Sequence, residues 1–463
     1  MRMTLDDLLA VRHLAAANLG ALRVRYFKGV STDSRTVSPG EVFFALRGGA
    51  FDGHAFAGQA FEAGAACIVV DEKADRGGLR DRPHIIVRDT ARAFGDLAAL
   101  WRGKFDIPVI AIAGSNGKTT TKEMTAGVLK TKYTVHSTRG NLNNHIGVPQ
   151  TIFGLTSRHE IAVLELGTNH FGELGYLCTI ARPTHGLITN IGREHLEFFS
   201  DLDGVARAEG ELFGALGTSG TGFVNADDPR IARMARKLRR KISYGFSKPN
   251  VGLRGKHLST DGRGRVSFTA EPKGKRPFPV RMSVPGAHAM TNALAAAAVG
   301  LAFGVPASGI RRSLLAFKAV DKRMQVRKSS GVTIINDTYN ANPDSLVSAL
   351  ETLGSMKCAG KRIAILGDML ELGAASGREH GRIGALIGGM GIDCLLTYGE
   401  AARAIHESAR VGWKRHYDKK DILASSALEL VTGGDIVLVK GSRGMKMEDV
   451  VLFIQERLEG KNT

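Results

Sequence analysis

Short, unbroken apolar runs recur along this chain, separated by longer stretches of helical character. In the first hundred residues the runs are Val42-Phe43-Phe44-Ala45-Leu46, Cys67-Ile68-Val69-Val70 and Ile85-Ile86-Val87, with Ala-rich stretches from Ala55 to Ala63 and Ala91 to Trp101. A second set begins with Ile107 to Ala113 and continues with Ile161-Ala162-Val163-Leu164 and Gly186-Leu187-Ile188-Thr189. A third comprises Val332 to Ile335, Ile363 to Leu366, Cys394 to Thr397 and Ile436 to Val439. Short apolar runs bounded by turn residues predict buried strands, and their alternation with helices predicts parallel sheets covered on both faces. The predicted fold class is therefore α/β in three domains. These are a small α/β N-terminal domain over 1–102, a central parallel-sheet domain over 103–318, which the Gly-rich turn Gly114-Ser115-Asn116-Gly117-Lys118-Thr119-Thr120 makes P-loop and ATPase-like, and a Rossmann-like C-terminal domain over 319–463. A length of 463 residues suits such a division, because single cores stop growing well below it.

Composition adds little to this until charge is considered. Hydrophobic residues make up 43% of the chain, as in ordinary soluble proteins, and no apolar stretch is long enough to cross a bilayer. The opening Met1-Arg2-Met3-Thr4-Leu5-Asp6-Asp7 has early acids and no apolar run, so no secretory signal is expected. Cys67, Cys178, Cys358 and Cys394 are too scattered for a disulfide framework or a metal cluster, which fits a reducing, cytoplasmic setting. The net charge of +18 is concentrated between Ile231 and Arg281, where fifteen Lys and Arg face two acids, Asp261 and Glu271. Gly, Pro and turn residues there suggest short strands on a solvated edge. A basic stretch invites a nucleic-acid partner, but few aromatics and no binding motif accompany it, so none is expected. The same field attracts small polyanions such as nucleotides.

The apolar strand ending at Ala113 runs into Gly114-Ser115-Asn116-Gly117-Lys118-Thr119-Thr120, and a helix follows from about Thr119. A Gly-rich turn between strand and helix points backbone N–H groups at phosphate oxygens, with the helix N-terminus behind them. Lys118 reaches the β- and γ-phosphates in such loops, and the Thr119 hydroxyl ligates Mg²⁺. The usual GxxxxGK[ST] pattern would place Gly at position 112, where this chain has Ile. Magnesium requires further oxygen ligands. Glu165 ends a predicted strand at the carboxyl edge of the sheet, where ligands bind. His195 follows the next strand; taken alone it fits a helix start as well as a ligand.

With these motifs in view the chain resembles the Mur ligase family along nearly its whole length. The resemblance is carried in order by Ser31-Thr32-Asp33-Ser34-Arg35, Gly40 to Leu46, Phe51-Asp52-Gly53-His54, the GxxGKTT loop, Gly140-Asn141-Leu142-Asn143-Asn144-His145-Ile146-Gly147-Val148-Pro149, Glu165-Leu166-Gly167-Thr168-Asn169 and Thr189 to Glu197. The third segment supplies Asp337-Thr338-Tyr339-Asn340-Ala341-Asn342-Pro343, Gly367-Asp368-Met369-Leu370-Glu371-Leu372-Gly373 and Lys440-Gly441-Ser442-Arg443. These last motifs are similar to those of members that add D-alanyl-D-alanine to a UDP-N-acetylmuramoyl-tripeptide in peptidoglycan precursor synthesis. The resemblance implies an ATP-dependent amide-bond ligase acting on small-molecule substrates, a monomer, with two Mg²⁺ ions. It makes the first domain the UDP-sugar end, the second the ATP site and the third the dipeptide site.

Residue by residue, the resemblance implies catalytic roles for Lys118, His195, Arg323 and Glu209. Gly114 to Thr120, His288, Asn292, Arg323 and Asp337 would hold the nucleotide. Thr119, Glu165, His195 and Glu209 would hold metal. Ser31 to Arg35, Asp52, His54, Asn141, Asn143, Asn144, Tyr339, Asn340, Asn342, Lys440, Ser442 and Arg443 would meet the substrates. Many relatives carry a carbamylated lysine where this chain has Glu209, whose carboxylate is expected to replace the carbamate; a glutamate on the helix surface is the alternative. Ala289 stands where Asn is usual, and Asn336 where Asp often is. A sibling Mur enzyme or a folylpolyglutamate synthetase shares the core, but the first-domain motifs argue against both. A nucleotide-regulated nucleic-acid-binding protein is the reading from another class.

Overall fold

A computed structural model describes residues 2–12, 14–48, 51–75, 78, 79 and 81–460; the outermost residues of the expected first and third domains, 1 and 461–463, lie outside them. Among the described residues the strands gather into sheets of five, nine and six strands, with two two-stranded ribbons besides.

In the five-stranded sheet Val30–Ser31, Val42–Phe44, Cys67–Asp71 and His84–Val87 run parallel, and Leu14–Asn18 closes one edge antiparallel. The helix Thr90–Arg102, capped by the Asp89 carboxylate accepting from the Arg92 N–H, covers this sheet. It also carries the sheet's core into the central domain. The rings of Phe44 and Phe94 lie 5.2 Å apart, as do those of Phe94 and Phe153, and the Trp101 indole N–H donates to Leu155 O.

The central sheet has the order Val135–Ser137, Ile161–Glu165, Val109–Ala113, His185–Ile188, Thr221–Asn225, Arg240–Gly245, Leu253–Thr260, Arg265–Pro272, Phe278–Pro285. The first seven run parallel, Arg265–Pro272 runs against them, and Phe278–Pro285 pairs antiparallel to it, back in the direction of the first seven. Helices cover both faces of the parallel part, so Val109–Ala113 and Ile161–Glu165 are buried at every position, and both read as unbroken apolar runs up to the closing Glu165. The register sets Ile112 beside both Glu165 and Leu187. The loop after Ala113 and the carboxylate of Glu165 thus emerge side by side at one sheet edge.

The basic stretch departs from expectation. It does end the sheet at one edge, but in the strand Arg240–Gly245 and three strands of eight residues each, longer than expected and buried on one face. Inward alternates such as Val266, Phe268, Ala270, Val280 and Met282 share a core with Ala289 and Ala293 of the helix Ala287–Ala302. Each large apolar side chain buried there contributes about 1.5–3 kcal/mol. Arg254, Lys256, Arg265 and Arg281 take the outward alternates, which is why the stretch reads as polar.

The third sheet has the order Gln325–Ser329, Val332–Asp337, Ile436–Lys440, Arg362–Gly367, Cys394–Tyr398, Trp413–Tyr417, parallel except for its first strand. Its core extends beyond the domain: Leu196, Phe199, Val205 and Ala208 of the central chain pack in one cluster with Leu346, Leu353, Met369 and Leu372. No helix among the described residues is long and apolar enough to cross a membrane.

Candidate active site

The loop Gly114–Lys118 owes its path to two glycines. Gly114 has φ +114°, and a Cβ there would lie 2.3 Å from Thr189 Oγ1 and 2.7 Å from the Thr189 backbone nitrogen. Gly117 has φ +80°, and a Cβ would approach Asn292 Oδ1 to 2.7 Å, so Asn292 braces the bend that starts the helix Lys118–Leu129. The loop is held from behind. The Ser115 N–H donates to Asn190 O, the Asn116 N–H to Asn190 Oδ1, and the Gly192 N–H to Ser115 Oγ. The first turn of the helix, whose amides lack intrahelical partners, lines a cavity of about 650 Å³. Lys118 is folded back: its ammonium donates to Gly114 O at 2.5 Å and Ser115 O at 3.3 Å, and lies 3.5 Å from Glu194 Oε2. Burial works against its charge, but Glu194, Glu209 and Glu165 outweigh that and hold its pKa above the usual range.

Of the four residues expected at metal, Thr119 and Glu165 meet, while His195 and Glu209 each engage other partners. The Thr119 hydroxyl donates to Glu165 Oε1 at 3.0 Å, and Asn143 Nδ2 donates to the same oxygen at 2.9 Å. Glu165 Oε2 is buried without a hydrogen-bond partner. His195 instead pairs across the domain boundary, its Nδ1 2.6 Å from Glu371 Oε2, with Nε2 3.9 Å from Glu194. Both His195 (φ +48°) and Glu371 (φ +63°) hold left-handed backbone, which costs a non-glycine residue about 1–2 kcal/mol. Glu209 lies wholly buried on the helix Leu202–Ala215, not on its surface, and accepts from the Gly114 N–H at 2.7 Å. Its other oxygen has no partner. Burial, with Glu194 adding to it, pushes its carboxyl up to about 8 against the pull of Lys118 and the Gly114 amide. Among the described residues no group of three or more His, Cys, Asp or Glu gathers to hold a metal.

The C-terminal domain forms the facing wall of the cavity with Tyr339, Asn340, Asn342 and Lys440, and Arg323 lies with its guanidinium 3.7 Å from the Tyr339 ring centroid. Asp337 accepts from the Met324 N–H and from Lys440 Nζ, the latter at 2.6 Å, and Lys440 also donates to Asn340 O. Lys440 is thus committed to a buried brace. Ser442 is another: its hydroxyl accepts from the Leu370 N–H and donates to Ala341 O, away from the cavity wall. Arg443 reaches the Tyr339 hydroxyl at 3.4 Å. His288 lines the cavity, bonded to Ser348, and burial pushes its pKa down.

Two more bridges join the C-terminal domain to the central one, the first of them on the loop itself. Asn342 caps the helix Pro343–Ser355 and donates from Nδ2 to Asn116 Oδ1 at 2.9 Å. Asp344, two residues on, accepts from the Arg193 backbone N–H at 2.6 Å and its guanidinium at 2.8 Å. Glu194, Glu371 and Asp344 therefore join the site, none of them singled out by sequence. The first two lie inside quoted motifs, which was the available signal.

The first-domain residues stand apart from this cavity. Asp33 and Arg35 form an exposed bidentate pair that holds the Asp33 carboxyl down at about 2, and Ser34 bonds Gln59. Thr32 alone reaches the central domain, accepting from Gln150 Nε2. His54 is locked: Nε2 accepts from the Asp71 N–H, so Nδ1 carries the hydrogen and donates to Asp52 at 2.6 Å. Asn143 and Asn144 line the cavity, whereas Asn141 does not.

With the geometry in place, comparison with known proteins decides the family. Residues 26–102 match the Mur ligase family catalytic domain, 112–300 the Mur ligase middle domain, and 322–443 the Mur ligase glutamate ligase domain. The UDP-N-acetylmuramoyl-tripeptide–D-alanyl-D-alanine ligase of Escherichia coli is 38% identical over 436 residues, covering 92% of this chain and 93% of that protein. This chain belongs to the Mur ligase family. The solved MurF of Acinetobacter baumannii superposes on this Mur ligase with a TM-score of 0.91 at 29% identity, covering 98% of this chain and 99% of that one. The MurF ligase of Thermotoga maritima, solved with ADP, gives 0.83 at 29% identity over 94% and 98%. The family makes this chain an ATP-dependent ligase of α/β fold in three domains.

Proposed function

We propose that this Mur ligase joins D-alanyl-D-alanine to a UDP-N-acetylmuramoyl-tripeptide at the expense of ATP, through an acyl phosphate. The observation that carries this reading is the single cavity with the Gly114–Thr120 loop on one wall and Tyr339 to Asn342 on the other. Nucleotide and incoming amine, held by different domains, would meet there. The tripeptide's terminal carboxylate oxygen attacks the γ-phosphorus, and the bond to ADP breaks. The dipeptide amine then attacks the acyl carbon, phosphate leaves, and the nitrogen loses its proton.

Such chemistry needs neutralisation of phosphoryl charge more than an acid or base. Lys118 supplies part of it by leaving the loop carbonyls and Glu194 for phosphate oxygens. Arg323, Asp337, His288 and Asn292 would border the nucleotide. The residues also fit Mg²⁺: Glu165 Oε2 is a buried carboxylate oxygen with no protein donor, beside the Thr119 hydroxyl, and a hard cation offsets that desolvation. His195 would hold a second ion, with the unpartnered oxygen of Glu209 standing in for the carbamate. When bound, these ions draw carboxylate and triphosphate together despite their like charge. The chain's own part is to seat both anions and exclude water once the C-terminal domain closes. The UDP-sugar end belongs on this reading to Ser31 to Arg35, Asp52 and His54.

Phosphate release tests the proposal, with tripeptide, dipeptide and ATP each omitted in turn. Release should require all three and be indifferent to added bicarbonate. Turnover with a single amino acid in place of the dipeptide would refute the substrate assignment, and bicarbonate dependence would refute the role given to Glu209.

A further inference from the structure

The segment that carries His195 is held by the C-terminal domain as well as by its own. Leu196 and Phe199 pack with Met369 and Leu372, the Glu197 N–H donates to Glu371 O at 3.2 Å, and a Cβ on Gly373 would meet Glu197 Cα at 3.2 Å. At the centre of this contact the Glu371 carboxylate lies 2.6 Å from His195 Nδ1. Nδ1 makes no aligned hydrogen bond in this state, so the contact is one of distance and charge; a hydrogen placed on Nδ1 toward the carboxylate leaves the lone pair of the neutral imidazole on Nε2. Both residues sit in left-handed backbone, so their alignment is enforced by the surrounding contacts.

We infer that Glu371 is a positioning residue that crosses from the C-terminal domain to fix the His195 imidazole as a metal ligand, making that ligand competent only when the two domains are docked. A carboxylate behind a ligating histidine orients the ring and raises its basicity. Here it comes from a different domain, so docking and ligand preparation are one event. The inference rests on the proposed role of His195 at metal.

The test is Mn²⁺ binding to the full-length protein with a non-hydrolysable ATP analogue, read by electron paramagnetic resonance. Wild type, Glu371→Ala, Glu371→Gln and His195→Ala are compared, and ¹⁵N shifts of the His195 ring report its tautomer. Glu371→Ala should weaken the His195-dependent Mn²⁺ by about tenfold or more, as loss of such partners does elsewhere. Glu371→Gln, whose Oε1 still accepts from Nδ1, should restore the Nδ1–H tautomer and most of the affinity. An unchanged far-ultraviolet circular dichroism spectrum and melting midpoint mark both Glu371 variants as folded. If Glu371→Ala binds Mn²⁺ like wild type while His195→Ala loses the ion, the inference is overturned and the proposed function stands. If His195→Ala also binds like wild type, the metal role of His195 falls and the inference with it.

Discussion

Replacing Lys440 with alanine separates a structural lysine from one that only touches substrate. Lys440 Nζ lies 2.6 Å from Asp337 Oδ2, and their side chains are 3% and 12% exposed. Asp337 would keep the Met324 N–H but lose its counter-charge, and Asn340 O would lose a donor. Removing one partner of a buried pair costs about 3–5 kcal/mol, because the remaining charge stays desolvated. For a unit of the size of this domain each kcal/mol moves the midpoint by about 2–4 °C, so Lys440→Ala should lower the C-terminal transition by roughly 10 °C. The double variant Asp337→Asn, Lys440→Met leaves no buried charge, keeps an acceptor for Met324 and refills the space. It should recover to within about 1 kcal/mol of wild type. Scanning calorimetry of wild type, Lys440→Ala and the double variant is the assay. A Lys440→Ala midpoint unchanged within about 2 °C, or a double variant as unstable as the single, would refute the brace.

Two further outcomes follow from named contacts. Gly114→Ala places a methyl 2.3 Å from Thr189 Oγ1 at φ +114°, so overpacking of about 1–3 kcal/mol adds to backbone strain and the loop must shift; a thermal-shift assay should show the stabilisation by Mg–ATP abolished, and its retention would count against the loop geometry. His185 lies against the rings of Phe223 and Phe303, and burial pushes its pKa below 6.5. The unfolded chain therefore binds more protons, so the stability it confers is present above about pH 6.5 and lost as pH falls below it. His185→Phe should flatten the fall in melting temperature between about pH 7 and 5, and an unchanged slope would sink the assignment.

How far sequence reached depended on what each residue faces. The strands Val109–Ala113, Ile161–Glu165 and Ile436–Lys440 are buried throughout, so an apolar run predicts each without ambiguity. Edge strands lack that signal: Leu14–Asn18 is exposed along its whole length and reads Leu-Ala-Ala-Ala-Asn, a helix former's composition. Trp413–Tyr417, also at an edge, hides a weak alternation under Lys, Arg and His. In the basic strands the cations on the outward face outweighed the inward Val, Phe and Met positions, and the sheet's true width was lost. At the site, the loop and Glu165 were legible because strand ends place them. Asp344 and Glu371 were not, since their partners Arg193 and His195 lie more than a hundred residues away in another domain. Lys440 and Ser442 sit within motifs that suggest substrate contact, whereas their hydrogen bonds are internal.

The joining of Leu196, Phe199, Val205 and Ala208 to the C-terminal core bears on how the chain melts. The cooperative unit of unfolding need not follow the covalent boundary expected near residue 318. Local opening of the C-terminal domain would bare these four side chains at the same moment, so the His195 segment should exchange its amide hydrogens in step with residues beyond 340, and out of step with the neighbouring strands of its own sheet. The Gly114–Thr120 loop and His195, which line one cavity, would then belong to different foldons, brought together only in the docked molecule.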